Sequence, residues 1–157
     1  MGQNFVQWVT ASQRAVLSFA YLLCGDREEA RDVVQDVYSR LAGKYDGITD
    51  GIDAYARRSV TNEVASRRRR PGLVTVPLDR DHPAPDSTSR VADKVLAWRL
   101  CDELPATQRA AVVLRFFEDR SFAEIGDILD VPESTARSHV HRALASLRGR
   151  LDQEAIR

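Results

Sequence analysis

The sequence predicts an all-α fold arranged as two small helical domains joined by a flexible linker. Three observations point there. Apolar residues recur at helical spacing through the first seventy residues and again from about residue 91. Between them, "PGLVTVPLDRDHPAPDSTSR" is rich in Pro, Asp and Ser and carries no sustained period. A chain of 157 residues that is 43% hydrophobic and 29% charged has enough apolar surface for packed cores, yet is polar enough to be soluble. The expected boundaries are a domain over 1–70, a linker over 71–90 and a domain over 91–157.

The first helix rests on Phe5, Trp8, Val9, Val16, Phe19, Ala20 and Leu23, with Gly25 as its stop. Asp26 caps a second helix, supported by Glu29 three residues later. Its apolar stripe is Ala30, Val33, Val34, Val37, Tyr38 and Leu41, and Asp32, Gln35, Asp36 and Arg40 lie on the opposite face. After a Gly/Asp-rich loop from Tyr45, a third helix is expected from about Asp53 to Arg70, with Ala56, Val60 and Val64 inward and Arg57, Arg58, Thr61 and Asn62 largely outward. Pro71 and Gly72 end it.

Beyond the linker, a helix is expected over Val91 to Leu104, and Pro105 opens another through "ATQRAAVVLRFF". Ser121 with Glu124 forms a capping box for "FAEIGDIL". A turn at Asp130 and Val131 follows, and Pro132 opens a long helix to about Leu151. Short helix, tight turn and longer helix make a helix-turn-helix. At 100° per residue, Ala136, Val140, Ala143, Leu144 and Leu147 fall on one side of the long helix and should pack on Phe122, Ile125 and Leu129. Ser134, Arg137, Ser138, His141, Arg142 and Arg148 fall on the other. That second face suits a DNA major groove, where arginine can bond guanine O6 and N7 together.

The formal net charge is zero but unevenly spread. Residues 1–53 are acidic, whereas residues 54–70 carry six arginines against Glu63 alone. Ser134 to Arg150 holds four arginines and no acid. Two basic islands in a neutral chain are the footprint of a polyanionic partner. Taken alone, the run "SRRRRPG" leaves a localisation signal, a protease site and a solvated helix end open.

Other function classes find little support. Cys24 and Cys101 stand far apart with no CxxC, and His139 and His141 point about 200° apart on a helix, so no metal or cofactor site is expected. No nucleophile-base pair or phosphate-binding glycine loop stands out, so no catalytic residue and no enzyme activity is expected. The longest apolar run, Phe19 to Cys24, is too short to span a bilayer; no membrane insertion is expected, and a cytoplasmic location is the default.

Three stretches in order then carry a specific resemblance. "AYLLCGDREEARDVVQDVYSRL" resembles the region 2 core of the extracytoplasmic-function (ECF) sigma factors, of the sigma-70 family. "AYARRSVTNEVASRRRR" resembles their following promoter-recognition helix, and "LPATQRAAVVLRFFEDRSFAEIGDILDVPESTARSHVHRALASLR" resembles their region 4. The wording of the first and third is similar to the actinobacterial sigma-E-like subset. The resemblance implies an alternative-sigma subunit that binds core RNA polymerase and directs initiation at −10 and −35 promoter elements. The competing reading is a stand-alone helix-turn-helix repressor or activator.

It also implies residue roles. Asp32, Gln35 and Asp36 would dock on the β′ clamp helices of core polymerase, and the β flap is a further implied contact of that partner. The loop at roughly Tyr45 to Ile52, with Asn62, would capture an unstacked −10 base, and Arg57, Arg58, Arg67, Arg68, Arg69 and Arg70 would contact phosphates. Arg115, Ser134, Thr135, Arg137, Ser138, His141 and Arg142 would meet the −35 duplex. His141 departs from the aromatic or basic residues common in the family, and Tyr55 stands where tryptophan is frequent. An anti-sigma factor is an expected partner.

Overall fold

The computed structural model describes residues 4–48, 51–70 and 101–156. The expected linker and residues 91–100 of the expected Val91 to Leu104 helix lie outside the described residues. The end of that segment is a single 3-10 turn, Cys101–Glu103.

Helix α1 spans Phe5–Cys24. Asn4 and Gln7 close a capping box at its start, and Gly25 takes a left-handed φ of 76° at its end. Helix α2, Arg27–Ala42, begins where the Asp26 side chain accepts from the Glu29 amide and ends at Gly43. A 3-10 turn, Tyr45–Gly47, follows. Helix α3, Ile52–Arg69, starts after Gly51, whose φ of 72° favours glycine. The three helices pack on Val16, Phe19, Leu23, Val33, Val37, Leu41, Val60 and Val64, all essentially inaccessible. Burying each such side chain contributes about 1.5–3 kcal/mol before chain entropy is subtracted.

The second half contains α4 (Ala106–Phe116), α5 (Phe122–Leu129) and α6 (Glu133–Ile156). The apolar stripe of α6 is buried as expected at Ala136, Val140, Ala143 and Leu147, with Leu144 half-buried. Cys101, Leu104 and Val112 complete a small cluster around Ala143 and Leu147. Cys24 and Cys101 are free and buried, and burial pushes the Cys24 thiol up to about 12, so both behave as small hydrophobes.

The two halves do not stand apart. One continuous apolar core joins the first three helices to Ala110, Ala111 and Leu114 of α4 and Ile125 and Ile128 of α5. Helices α1 and α3 contact α4, and α3 also contacts α5.

Candidate nucleic-acid interface

The helix-turn-helix is built from local chemistry. The Ser121 hydroxyl accepts from the Glu124 amide at 3.1 Å, and the Glu124 carboxylate accepts from the Ser121 amide at 3.1 Å. Those bonds hold the Glu124 carboxyl below its usual range. Asp130 turns the chain with a φ of 58°, tolerable for an Asx residue. Gly126 makes the turn tight: a Cβ there would sit 2.7 Å from the Val131 carbonyl oxygen. In sequence, the signal of that close approach is a glycine inside a strong amphipathic pattern.

The turn presents the polar, basic face of α6 outward. Ser134, Arg137, Ser138, His141 and Arg142 are exposed and Thr135 is half-buried, all as one surface. The Ser138 hydroxyl donates to the Ser134 carbonyl at 3.0 Å. Phe122 lies beneath two of the arginines: the Arg115 guanidinium is 4.4 Å from its ring centre and that of Arg137 is 5.0 Å. Arg115 also donates to the Arg120 carbonyl at 3.1 Å, and Arg137 pairs with Glu133 at 3.4 Å. His139 points away from this surface; burial, then the nearby Arg142 charge, lowers its pKa.

The first half is less simple. Phe5, Trp8, Tyr38 and Tyr45 form an aromatic cluster, with Trp8 edge-on to Tyr38 at 5.6 Å and Phe5 edge-on to Tyr45 at 5.5 Å. Trp8 Nε1 donates to Asp53 at 3.0 Å, so the start of the Tyr45 loop and the start of α3 are both tied to α1. Asn62 is exposed on α3. Tyr55 packs half-buried against the core.

Two expected orientations are corrected. Arg57 is only 6% and Thr61 only 3% exposed, rather than outward. The second half covers that side of α3, and Arg57 pairs with Glu118 of the α4–α5 connection at 2.8 Å. Thr61 turns its hydroxyl onto the Arg57 carbonyl at 2.9 Å. Arg58, half-buried, donates to the carbonyls of Asp127 and of Ile128, the latter at 2.9 Å.

The arginine run also divides. Arg67 binds Glu63 at 3.0 Å and Asp36 at 2.6 Å, while Glu63 also takes Arg40 at 2.8 Å. Burial works to raise the Glu63 carboxyl, but the bonds from Arg67 and Arg40 outweigh it and hold it below its usual range. Arg68 reaches the Leu104 carbonyl at 3.0 Å and the Leu23 carbonyl at 3.2 Å. Arg69 and Arg70 are exposed. Asp32, Gln35 and Asp36 sit together on the exposed face of α2. Beside them, Phe5, Leu17, Val34 and Tyr38 line an apolar groove between α1 and α2.

Known proteins match both halves in the same order. The family model of Sigma-70 region 2 covers residues 8–72, and that of Sigma-70 region 4 covers residues 95–147. The chain is 36% identical to an RNA polymerase sigma-E factor of Streptomyces avermitilis, over 98% of this chain and 88% of the relative. It is 32% identical to the ECF RNA polymerase sigma factor SigM of Mycobacterium tuberculosis, over 91% of this chain and 74% of that one. Its fold resembles the sigma factor RpoE of Bartonella quintana, solved in complex with the anti-sigma factor NepR: the TM-score is 0.71 at 23% identity, covering 94% and 96% of the two chains. A region 2 match over the first half is not expected of a stand-alone helix-turn-helix regulator. The chain belongs to the ECF sigma factors, the sigma-70-type subunits that direct RNA polymerase to its promoters.

Proposed function

We propose that residues 1–70 act as region 2, residues 71–90 as linker and residues 91–157 as region 4 of a cytoplasmic alternative sigma factor without catalytic activity or cofactor of its own. Asp32, Gln35 and Asp36 dock on the β′ clamp helices of core polymerase, whose β flap is a further contact. Asn62 and the Tyr45 loop select the −10 base while Arg57, Arg58 and Arg67 to Arg70 hold phosphates. Arg115, Ser134, Thr135, Arg137, Ser138, His141 and Arg142 read the −35 duplex. The observation carrying this reading is the exposed face of α6 with Arg137, Ser138, His141 and Arg142, presented by an intact helix-turn-helix on the same chain as a region 2 bundle. The Bartonella relative's complex with NepR supports an anti-sigma factor as a further partner.

Run-off transcription with purified core polymerase on a promoter library tests the reading. Initiation at promoters sharing two upstream elements is the expected result. Tight binding to duplex DNA without initiation by any core enzyme would overturn it.

A further inference from the structure

His141 occupies the middle of the face that α6 turns outward. At about 100° per residue it falls about 20° from Ser134, with Arg137 about 40° to one side and Ser138 about 60° to the other. Arg142 stands at the far edge of the same arc, and all five side chains are exposed. A helix lying in a major groove brings the centre of its outward arc nearest the base edges and leaves its flanks to the phosphates. His141 is thus placed for bases, between arginines placed for the backbone.

Among the described residues, none forms a hydrogen bond or ion pair with the His141 ring. On α4, Arg109 is buried against Asp102 and the Leu22 carbonyl, and Arg115 lies over Phe122. On α5, Glu124 pairs with Arg120, while Asp127 and Asp130 of the turn line a cavity toward Tyr55 and Arg58 of α3. On α6 itself, Glu133 lies two turns away and pairs with Arg137 at 3.4 Å, and no acid follows before Asp152. The remaining charges beside His141 are Arg137, Arg142 and Arg148, all positive. Histidine is the side chain that changes charge between pH 5 and 8. In the free chain those arginines oppose a proton on the ring; against a duplex, the phosphates neutralise them and favour it, so binding draws a proton from solvent onto the imidazole. The two forms read bases differently. A neutral imidazole has one donor and one acceptor, and can meet guanine, adenine or cytosine edges alike. An imidazolium has donors only, which suit the adjacent O6 and N7 acceptors of guanine and are opposed by the amino groups of adenine and cytosine.

We propose that His141 is a specificity-determining residue of the −35 interface that selects guanine as an imidazolium, so that base preference at one position of the duplex depends on pH. This rests on the −35 reading of α6 and adds to it the base chosen and the proton that chooses it.

The test is selection by the full-length chain from duplexes carrying about twelve random base pairs, a little over one helical turn. It is run at about pH 6 and about pH 8 at one ionic strength, and the selected sequences are counted. Beside the parent stand His141→Arg, His141→Gln, and the controls His82→Gln and His139→Gln for the other two histidines. His141 is exposed, so its variants disturb no packed contact. The parent should enrich guanine at one position about fivefold or more at the lower pH and less than about twofold at the higher. His141→Arg carries a permanent charge and should keep guanine at both values. His141→Gln should turn that position to adenine at both, because an amide matches adenine N6 and N7. Both controls should behave as the parent does. Equal preferences of the parent at the two pH values would overturn the inference and leave the −35 reading standing. So would a pH-dependent preference that survives in His141→Arg or His141→Gln. A parent chain that selects no sequence at either value would overturn the −35 reading and the inference with it.

Discussion

Phe122 shows what one side chain contributes to recognition. Its ring carries Arg115 on one helix and Arg137 on another, so it fixes the relative position of two cations that sequence spacing places 22 residues apart. Each exposed cation–π contact is worth about 0.5–1 kcal/mol. Phe122→Leu should therefore weaken binding of a −35 duplex by roughly 5- to 30-fold, and Phe122→Tyr should restore most of it. Equal affinities for Leu and Tyr variants of equal stability, in an anisotropy titration, would remove the ring from recognition. The arginine run makes the opposite point. Adjacent residues in one run divide their work: Arg67 is held between Glu63 and Asp36, and Arg68, though exposed, reaches two backbone carbonyls, while Arg69 and Arg70 are exposed. Replacing Arg69 and Arg70 by alanine should flatten the salt slope of single-strand binding by about 1.4. A smaller change on that pair than on Arg67 and Arg68 would reverse the division.

At the scale of elements, α2 and α3 are joined by a ladder of charge in the order Arg40, Glu63, Arg67, Asp36. Glu63 is its centre, a largely buried carboxylate between two guanidinium groups. Its folded pKa lies below the unfolded value of about 4.3. The contribution to stability is thus complete above that unfolded value and is lost as pH falls through the folded one. Urea midpoints of the parent chain and Glu63→Gln should differ at pH 7, and the difference should shrink steadily below about pH 4.5. A gap that persists unchanged at pH 3 would show that the ladder acts by shape rather than charge. The pairing also bears on polymerase docking, since Asp36 on the proposed clamp-helix surface is held by Arg67. That tie links the orientation of the α2 face to α3, the element proposed to face the −10 DNA.

Across the whole molecule, what the sequence made legible was local. The caps at Asp26 and Ser121, the stop at Gly25 and the apolar stripe of α6 all stand where spacing and capping chemistry place them. The packing of one half on the other was not legible, because Arg57 and Glu118 are 61 residues apart and Arg109 and Leu22 are 87 apart. Periodicity marks which face of a helix is apolar, but an arginine that is buried by a distant carboxylate looks in sequence like any solvated one. The consequence is thermodynamic. Because one apolar core runs through both halves and Arg109 clasps the end of α1 from α4, the halves should unfold together, in a single calorimetric transition. Arg109→Ala leaves the Leu22 carbonyl and the Asp102 carboxylate without that donor, a loss of about 1.5–3 kcal/mol at the junction. The same scan on Arg109→Ala should resolve into two transitions, with the smaller C-terminal bundle melting first because its core is the poorer of the two. If the parent chain already shows two transitions at low protein concentration, the shared core does not couple the halves, and the helix-end clasps are too weak to hold them closed.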